Sequence, residues 1–78
     1  MQKYLSELEV GQSGIVKKID ADGKIKRRLF DMGVTPNAEI LLRKVAPLGD
    51  PIEVTIRGYE LSLRKSEAQT ILMEVTND

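Results

Sequence analysis

Lys24, Lys26, Arg27 and Arg28 crowd four positive charges into one short stretch, enough to draw an acidic protein surface or anionic lipid headgroups. The same residues can equally make a plain solvated face, with the Arg28 stem lying over neighbouring structure and its guanidinium meeting Asp31 at i, i+3. Leu48-Gly49-Asp50-Pro51 is the second candidate, because it sets an apolar and an acidic side chain on a stiff turn suited to partner recognition. Its alternative is structural: Gly49 and Pro51 shape the turn while Leu48 tucks into the core. Asp20, Asp22, Asp50 and Glu53 offer carboxylate oxygen to a hard divalent ion. Transition metals favour some nitrogen or sulfur, and the chain has neither histidine nor cysteine. No metal site, cofactor or catalytic residue is therefore expected.

The absence of those two residue types also removes a disulfide framework, a thiolate nucleophile and a Ser/His/Asp triad. No GxxxxGK[ST] run is present, so the chain carries no P-loop nucleotide site of its own. Tyr4, Phe30 and Tyr59 are the only aromatic residues, too few to line a groove for proline-rich peptides. Twelve basic and twelve acidic residues balance to zero, which disfavours nucleic acid as a partner. A nucleic-acid-associated barrel nevertheless stays open as the runner-up, since Val10-Gly11 through Gly14-Ile15-Val16 resembles the turn and strand that open ribosome-associated modules of SH3-like fold.

With 41% hydrophobic and 31% charged residues the composition is that of a globular domain, without the long apolar run of a membrane span. Glu7, Glu9 and Gln12 interrupt any leader-like apolar stretch, so the expected location is cytoplasmic, without direct membrane insertion. Length predicts one domain over residues 1–78.

The elements that must carry the candidate residues follow from spacing. Leu5 and Leu8, three apart, predict one helical turn as a lid. Ile15 to Ile19 predicts the first strand, and the Asp20-Ala21-Asp22-Gly23 cluster a turn that caps a helix. Between Lys24 and Met32 the residues Ile25, Leu29 and Met32 fall at i, i+4 and i+7, so this helix should be amphipathic and end at Gly33. Thr35-Pro36-Asn37-Ala38 predicts a turn. Strands are expected at Glu39 to Val45, Ile52 to Ile56 and Leu61 to Leu63, the last two joined at Gly58-Tyr59. Ser66 and Gln69 have capping-box spacing, before a final strand through Ile71, Met73 and Val75. The sum is a mainly β, small, partly open antiparallel barrel of five strands, with one amphipathic helix between strands one and two and a helical turn before the last. Its predicted inward positions are Ile15, Ile19, Ile40, Leu42, Val54, Ile56, Leu61, Leu63, Ile71 and Met73.

Three patches in order along nearly the whole chain resemble the ferrous iron transport protein A (FeoA) family of SH3-like barrels. They are Leu5-Ser6-Glu7-Leu8 with Gly11, Gly14 and Val16; Arg27-Arg28-Leu29-Phe30-Asp31-Met32-Gly33 with Pro36; and Leu48-Gly49-Asp50-Pro51, followed by Leu61-Ser62-Leu63-Arg64-Lys65 and Glu67-Ala68. Asn37 stands where the family usually has Gly, and Asn also accepts the left-handed conformation. The resemblance implies a non-catalytic accessory protein for ferrous iron uptake, working beside a membrane permease that carries its own cytosolic GTPase domain. Lys24, Arg27, Arg28, Leu48, Gly49, Asp50 and Pro51 are then the candidate partner-binding residues, and self-association stays open. The fold also resembles the C-terminal domain of iron-dependent repressors, which keeps a regulatory role in view.

Overall fold

β-Branched and aliphatic residues alternating with polar ones build an antiparallel sheet in the computed structural model, which describes residues 1–76. Its strands are β1 (Gln2–Tyr4), β2 (Ser13–Ile19), β3 (Glu39–Val45), β4 (Ile52–Ile56), β5 (Tyr59–Leu63) and β6 (Ile71–Val75). They run in the order β1-β6-β2-β3-β4-β5, so β1 and β5 are the two edges. The sheet thus has one strand more than expected. Gln2–Tyr4 is too short to show a period, and pairs with β6 through Gln2↔Glu74 and Tyr4↔Leu72. A 3-10 turn at Leu5–Glu7 follows directly and buries Leu5, as the lid spacing predicted.

Two β-bulges bend the sheet, and one of them corrects a predicted core position. Register shifts between Val16 and Lys18 on β2, and between Leu42 and Lys44 on β3. Strict alternation from Ile19 backwards would point Ile15 and Lys17 inward. The extra residue resets the phase, so Val16 is fully buried and Ile15 only half-buried. Gly14 shares the inward phase of Val16, and a Cβ there would lie 2.6 Å from the Glu74 carbonyl oxygen, so β2 and β6 approach this closely only with glycine. Leu61 is likewise half-buried rather than core, because β5 lies at an edge. The other eight predicted inward residues are buried, and Leu5, Leu8, Leu29, Val34, Ala38, Ile52 and Ala68 complete the core.

Helix α1 (Gly23–Asp31) starts where expected: the Asp22 carboxylate accepts the Ile25 N–H at 3.0 Å, and Gly33 leaves the helix with φ +92°. Asn37 takes φ +76°. The β4–β5 turn is Arg57-Gly58 rather than Gly58-Tyr59. Both residues have positive φ, 48° and 83°, as a two-residue primed turn requires, which leaves Tyr59 free to pair with Ile56. Helix α2 (Lys65–Ala68) also differs from expectation. Its reciprocal cap comes from Glu67, which accepts the Arg64 N–H at 2.9 Å, and the Ser66–Gln69 spacing is not used.

Candidate functional site

Helix α1 carries the basic cluster on a nearly bare rod, for only Leu29 among its residues is buried. Its C-terminal end is held by the β4–β5 hairpin. Arg57 donates through Nε to the Gly33 carbonyl at 3.2 Å and through Nη2 to the Thr35 hydroxyl at 2.7 Å, and the Tyr59 hydroxyl donates to the Met32 carbonyl. The Tyr59 bond satisfies a carbonyl that the helix end leaves open, and the Arg57 bonds hold the segment that leaves it.

The basic residues separate into two kinds. Arg28 points to α2, where its Nη1 lies 3.3 Å from the nearly buried Glu67 carboxylate, so its partner is Glu67 and not Asp31. Lys24, Lys26 and Arg27 are exposed and form no ion pair among the described residues. Lys26 Nζ stands 6.0 Å from the centre of the Phe30 ring. A concavity of about 370 Å³ is lined by Gly23, Lys26, Arg27, Phe30 and Asp31. Phe30, absent from the predicted site, is the chain's single phenylalanine and is 40% exposed.

The second candidate region is the turn between β3 and β4. It is closed by Gly49 N–H to Ala46 carbonyl at 2.7 Å and Ala46 N–H to Pro51 carbonyl at 3.0 Å, with Gly49 at φ +87° and a cis Asp50–Pro51 peptide. Leu48 is 96% exposed, so it does not tuck into the core. Asp50 accepts the backbone N–H of Lys65 at 2.9 Å, a structural duty that turns its carboxylate toward α2. The two candidate regions are thereby tethered to the same short helix, α1 through Glu67 and the turn through Lys65.

The other candidate carboxylates are dispersed. Asp20 accepts the Tyr4 hydroxyl at 2.7 Å and lies 3.3 Å from Lys18 Nζ, while Asp22 caps α1. The hydrogen bond from Tyr4 holds the Asp20 carboxyl below its ordinary range, and the same bond raises the Tyr4 phenol. No group of three or more Asp or Glu side chains could hold a metal ion among the described residues. A wider groove of about 520 Å³, edged by Ser13, Asn37, Glu39 and Arg57, lies over β3 and β4. No helix of the described residues is long and apolar enough to cross a membrane.

Comparison with known proteins decides the family. The sequence profile of the FeoA domain matches residues 3–75. This chain belongs to the FeoA family. A FeoA-like protein from Clostridium acetobutylicum, solved by NMR, is 43% identical and superposes with a TM-score of 0.91 over 99% of this chain and 90% of its own. FeoA from Stenotrophomonas maltophilia, an SH3 domain protein crystallised with zinc, is 29% identical, with a TM-score of 0.78 over 95% of this chain and 89% of that one. The architecture of this FeoA chain is accordingly SH3-like. In Porphyromonas gingivalis a fusion of Fe(2+) transport protein A with the Fe(2+) transporter FeoB is 32% identical over 91% of this chain, which spans only 8% of the fusion's length.

Proposed function

We propose that this FeoA chain is a non-catalytic, cytoplasmic accessory of ferrous iron uptake that docks on the GTPase-bearing part of a membrane iron permease. The observation that carries this reading is the fusion relative, in which a FeoA segment and an iron transporter share one polypeptide. Covalent linkage fixes two modules at high mutual concentration, an arrangement that suits modules which act together. The chain's own residues favour a docking role over chemistry. It lacks histidine and cysteine, and its most exposed large apolar side chain, Leu48, stands on a turn braced by backbone hydrogen bonds. Lys24, Arg27, Leu48, Gly49, Asp50 and Pro51 are the proposed docking residues, with Arg28 positioning α1 through Glu67.

A two-dimensional NMR titration of the labelled chain with the permease's soluble GTPase domain, with and without a non-hydrolysable GTP analogue, tests the reading. Shifts confined to Lys24–Gly33 and Leu48–Pro51 are expected; an unchanged spectrum at high concentration would remove the GTPase domain as the partner.

A further inference from the structure

Helix α1 bears two stripes, and the fold uses only one. On the first stripe Leu29 is fully buried and Met32 packs against the core, while Ile25 at its start stays 38% exposed. Gly23, Lys26, Arg27 and Phe30 fall at i, i+3, i+4 and i+7, the spacing of a second face on the same rod. Those four residues, joined by Asp31, line the concavity of about 370 Å³. Gly23 leaves its part of the concavity open, since a Cβ built there meets nothing within 4 Å and its backbone has no need of glycine. Phe30 lines it beside Arg27, three residues away on the same helix face, with Lys26 Nζ over its ring. Neither cation has an ion-pair partner among the described residues, in contrast to Arg28.

We propose that this notch seats one apolar side chain of an acidic protein segment, whose carboxylates meet Lys26 and Arg27 while the apolar group packs on Phe30. An apolar pocket flanked by cations is complementary to that chemistry, and pairing a desolvated anchor with rim charges gives affinity and orientation together. An anionic bilayer is a poorer match. A headgroup surface offers charge to Lys26 and Arg27 without a fixed apolar side chain to pack on Phe30 in the concavity. That the occupant is a protein segment rests on the docking reading above; the notch and its chemistry do not.

The test uses the intact labelled chain and a synthetic glutamate-rich peptide carrying a single leucine. Amide shifts across Gly23–Asp31 that weaken with salt are expected. Replacing the peptide's leucine by serine, or making Phe30→Ala or Gly23→Gln in the chain, should weaken binding about tenfold or more. Phe30 is part-exposed and Gly23 unobstructed, so both variants should keep the wild-type spectrum elsewhere. No peptide shifts, or shifts that both variants leave intact, overturn the proposal. So does co-sedimentation with phosphatidylglycerol vesicles that Phe30→Ala abolishes, which assigns the notch to lipid. Titration with the permease's GTPase domain separates the two claims. Shifts centred on Leu48 and indifferent to Phe30→Ala keep the docking reading and overturn the notch. Peptide binding without any response to the domain keeps the notch and removes that domain as its occupant.

Discussion

The sheet and helix α1 are both written with apolar residues at regular spacing, yet they dispose of them differently. On β3, β4 and β6 the inward residues Ile40, Leu42, Ile52, Val54, Ile56, Ile71 and Met73 are at most 4% exposed. On α1 only Leu29 is buried, while Ile25 and Phe30 keep 38% and 40% of their surface in water. The difference is geometric. A strand with period two puts alternate residues on one plane, and the bulges roll that plane around a common core. Ile25 and Phe30, five residues apart, diverge by about 140° around the helix axis, so no single contact buries both. Apolar surface that the core cannot take is left at the surface, beside cations that form no ion pair among the described residues. Stability and recognition should therefore be separable by mutation.

The sharpest separation compares Met73→Ala with Phe30→Ala. Met73 is fully buried on β6, and its truncation should cost about 2–5 kcal/mol in urea unfolding, close to the whole stability of a small domain. Phe30→Ala should stay within about 0.5 kcal/mol of wild type. Comparable losses from the two would break the division between sheet and helix. Gly14→Ala probes the sheet from its backbone. The added Cβ meets the Glu74 carbonyl at 2.6 Å and neither strand can retreat without losing ladder bonds, so a loss of about 1–3 kcal/mol is expected.

Glu67 sits where the two regions meet, and its variants should give intermediate effects. Its carboxylate takes the Arg64 N–H and the Arg28 guanidinium from a nearly buried position. Glu67→Ala loses both and should cost about 1–2 kcal/mol. Glu67→Gln keeps an acceptor for the cap and loses only the pairing with a half-exposed arginine, so it should cost less than about 1 kcal/mol. If hydrogen exchange in α1 rises with both variants, the ion pair is what holds the helix's flank. If it rises with neither, Arg57 and Tyr59 suffice.

The legible parts of this molecule were those governed by local rules. The Asp22 cap, the Gly33 exit, the left-handed Asn37 and the β3 and β4 strands all follow from residue types within a few positions of each other. What alternation could not show was the β2 bulge, because an extra residue is recognised only by its partner strand, and so Ile15 was expected where Val16 lies. The β4–β5 turn escapes a local reading for a related reason. Arg is an unusual choice for positive φ, and its reward, the bonds to Gly33 and Thr35, is 22 residues or more away in sequence. Of the candidate site, the basic cluster and the Leu48 turn were legible as composition. That Arg28 is engaged with Glu67, and that Phe30 faces water, depends on how α1 is set against α2.

The chain's charged clamps offer a smaller effect that belongs to the sheet's margin. The Met1 ammonium group donates to Glu74 and lowers its carboxyl below the ordinary range, as Tyr4 does for Asp20. A depressed carboxyl pKa stabilises the fold above the unfolded-state value, and that contribution is lost as pH falls through the folded-state value. Stability should thus decline on acidification below the usual carboxylate range, and Asp20→Asn should flatten the decline. Tyr4 has the opposite sign: its raised phenol keeps the bond until alkaline pH passes its folded-state value. Asp20 is exposed and Tyr4 and Glu74 are half-buried, so a pH titration of the urea midpoint should show shallow slopes, with salt reducing them.

Leu48 should give the smallest stability effect of all, and for that reason the clearest functional reading. Its side chain is 96% exposed, so Leu48→Ser removes almost no buried surface, and the turn is closed by backbone groups that the substitution leaves alone. The urea midpoint should not move measurably, and Leu48→Ser should even modestly favour solubility by shrinking an exposed apolar area. Asp50→Ala makes the contrast within the same turn. It strips the acceptor from the Lys65 N–H and should destabilise the start of α2 by about 1 kcal/mol. If Leu48→Ser weakens association with the permease's GTPase domain while Asp50→Ala acts only as far as it loosens the turn, Leu48 is the contact and Asp50 its support. If Asp50→Ala alone weakens association, the apolar side chain is incidental, and the turn matters for the shape it gives to α2.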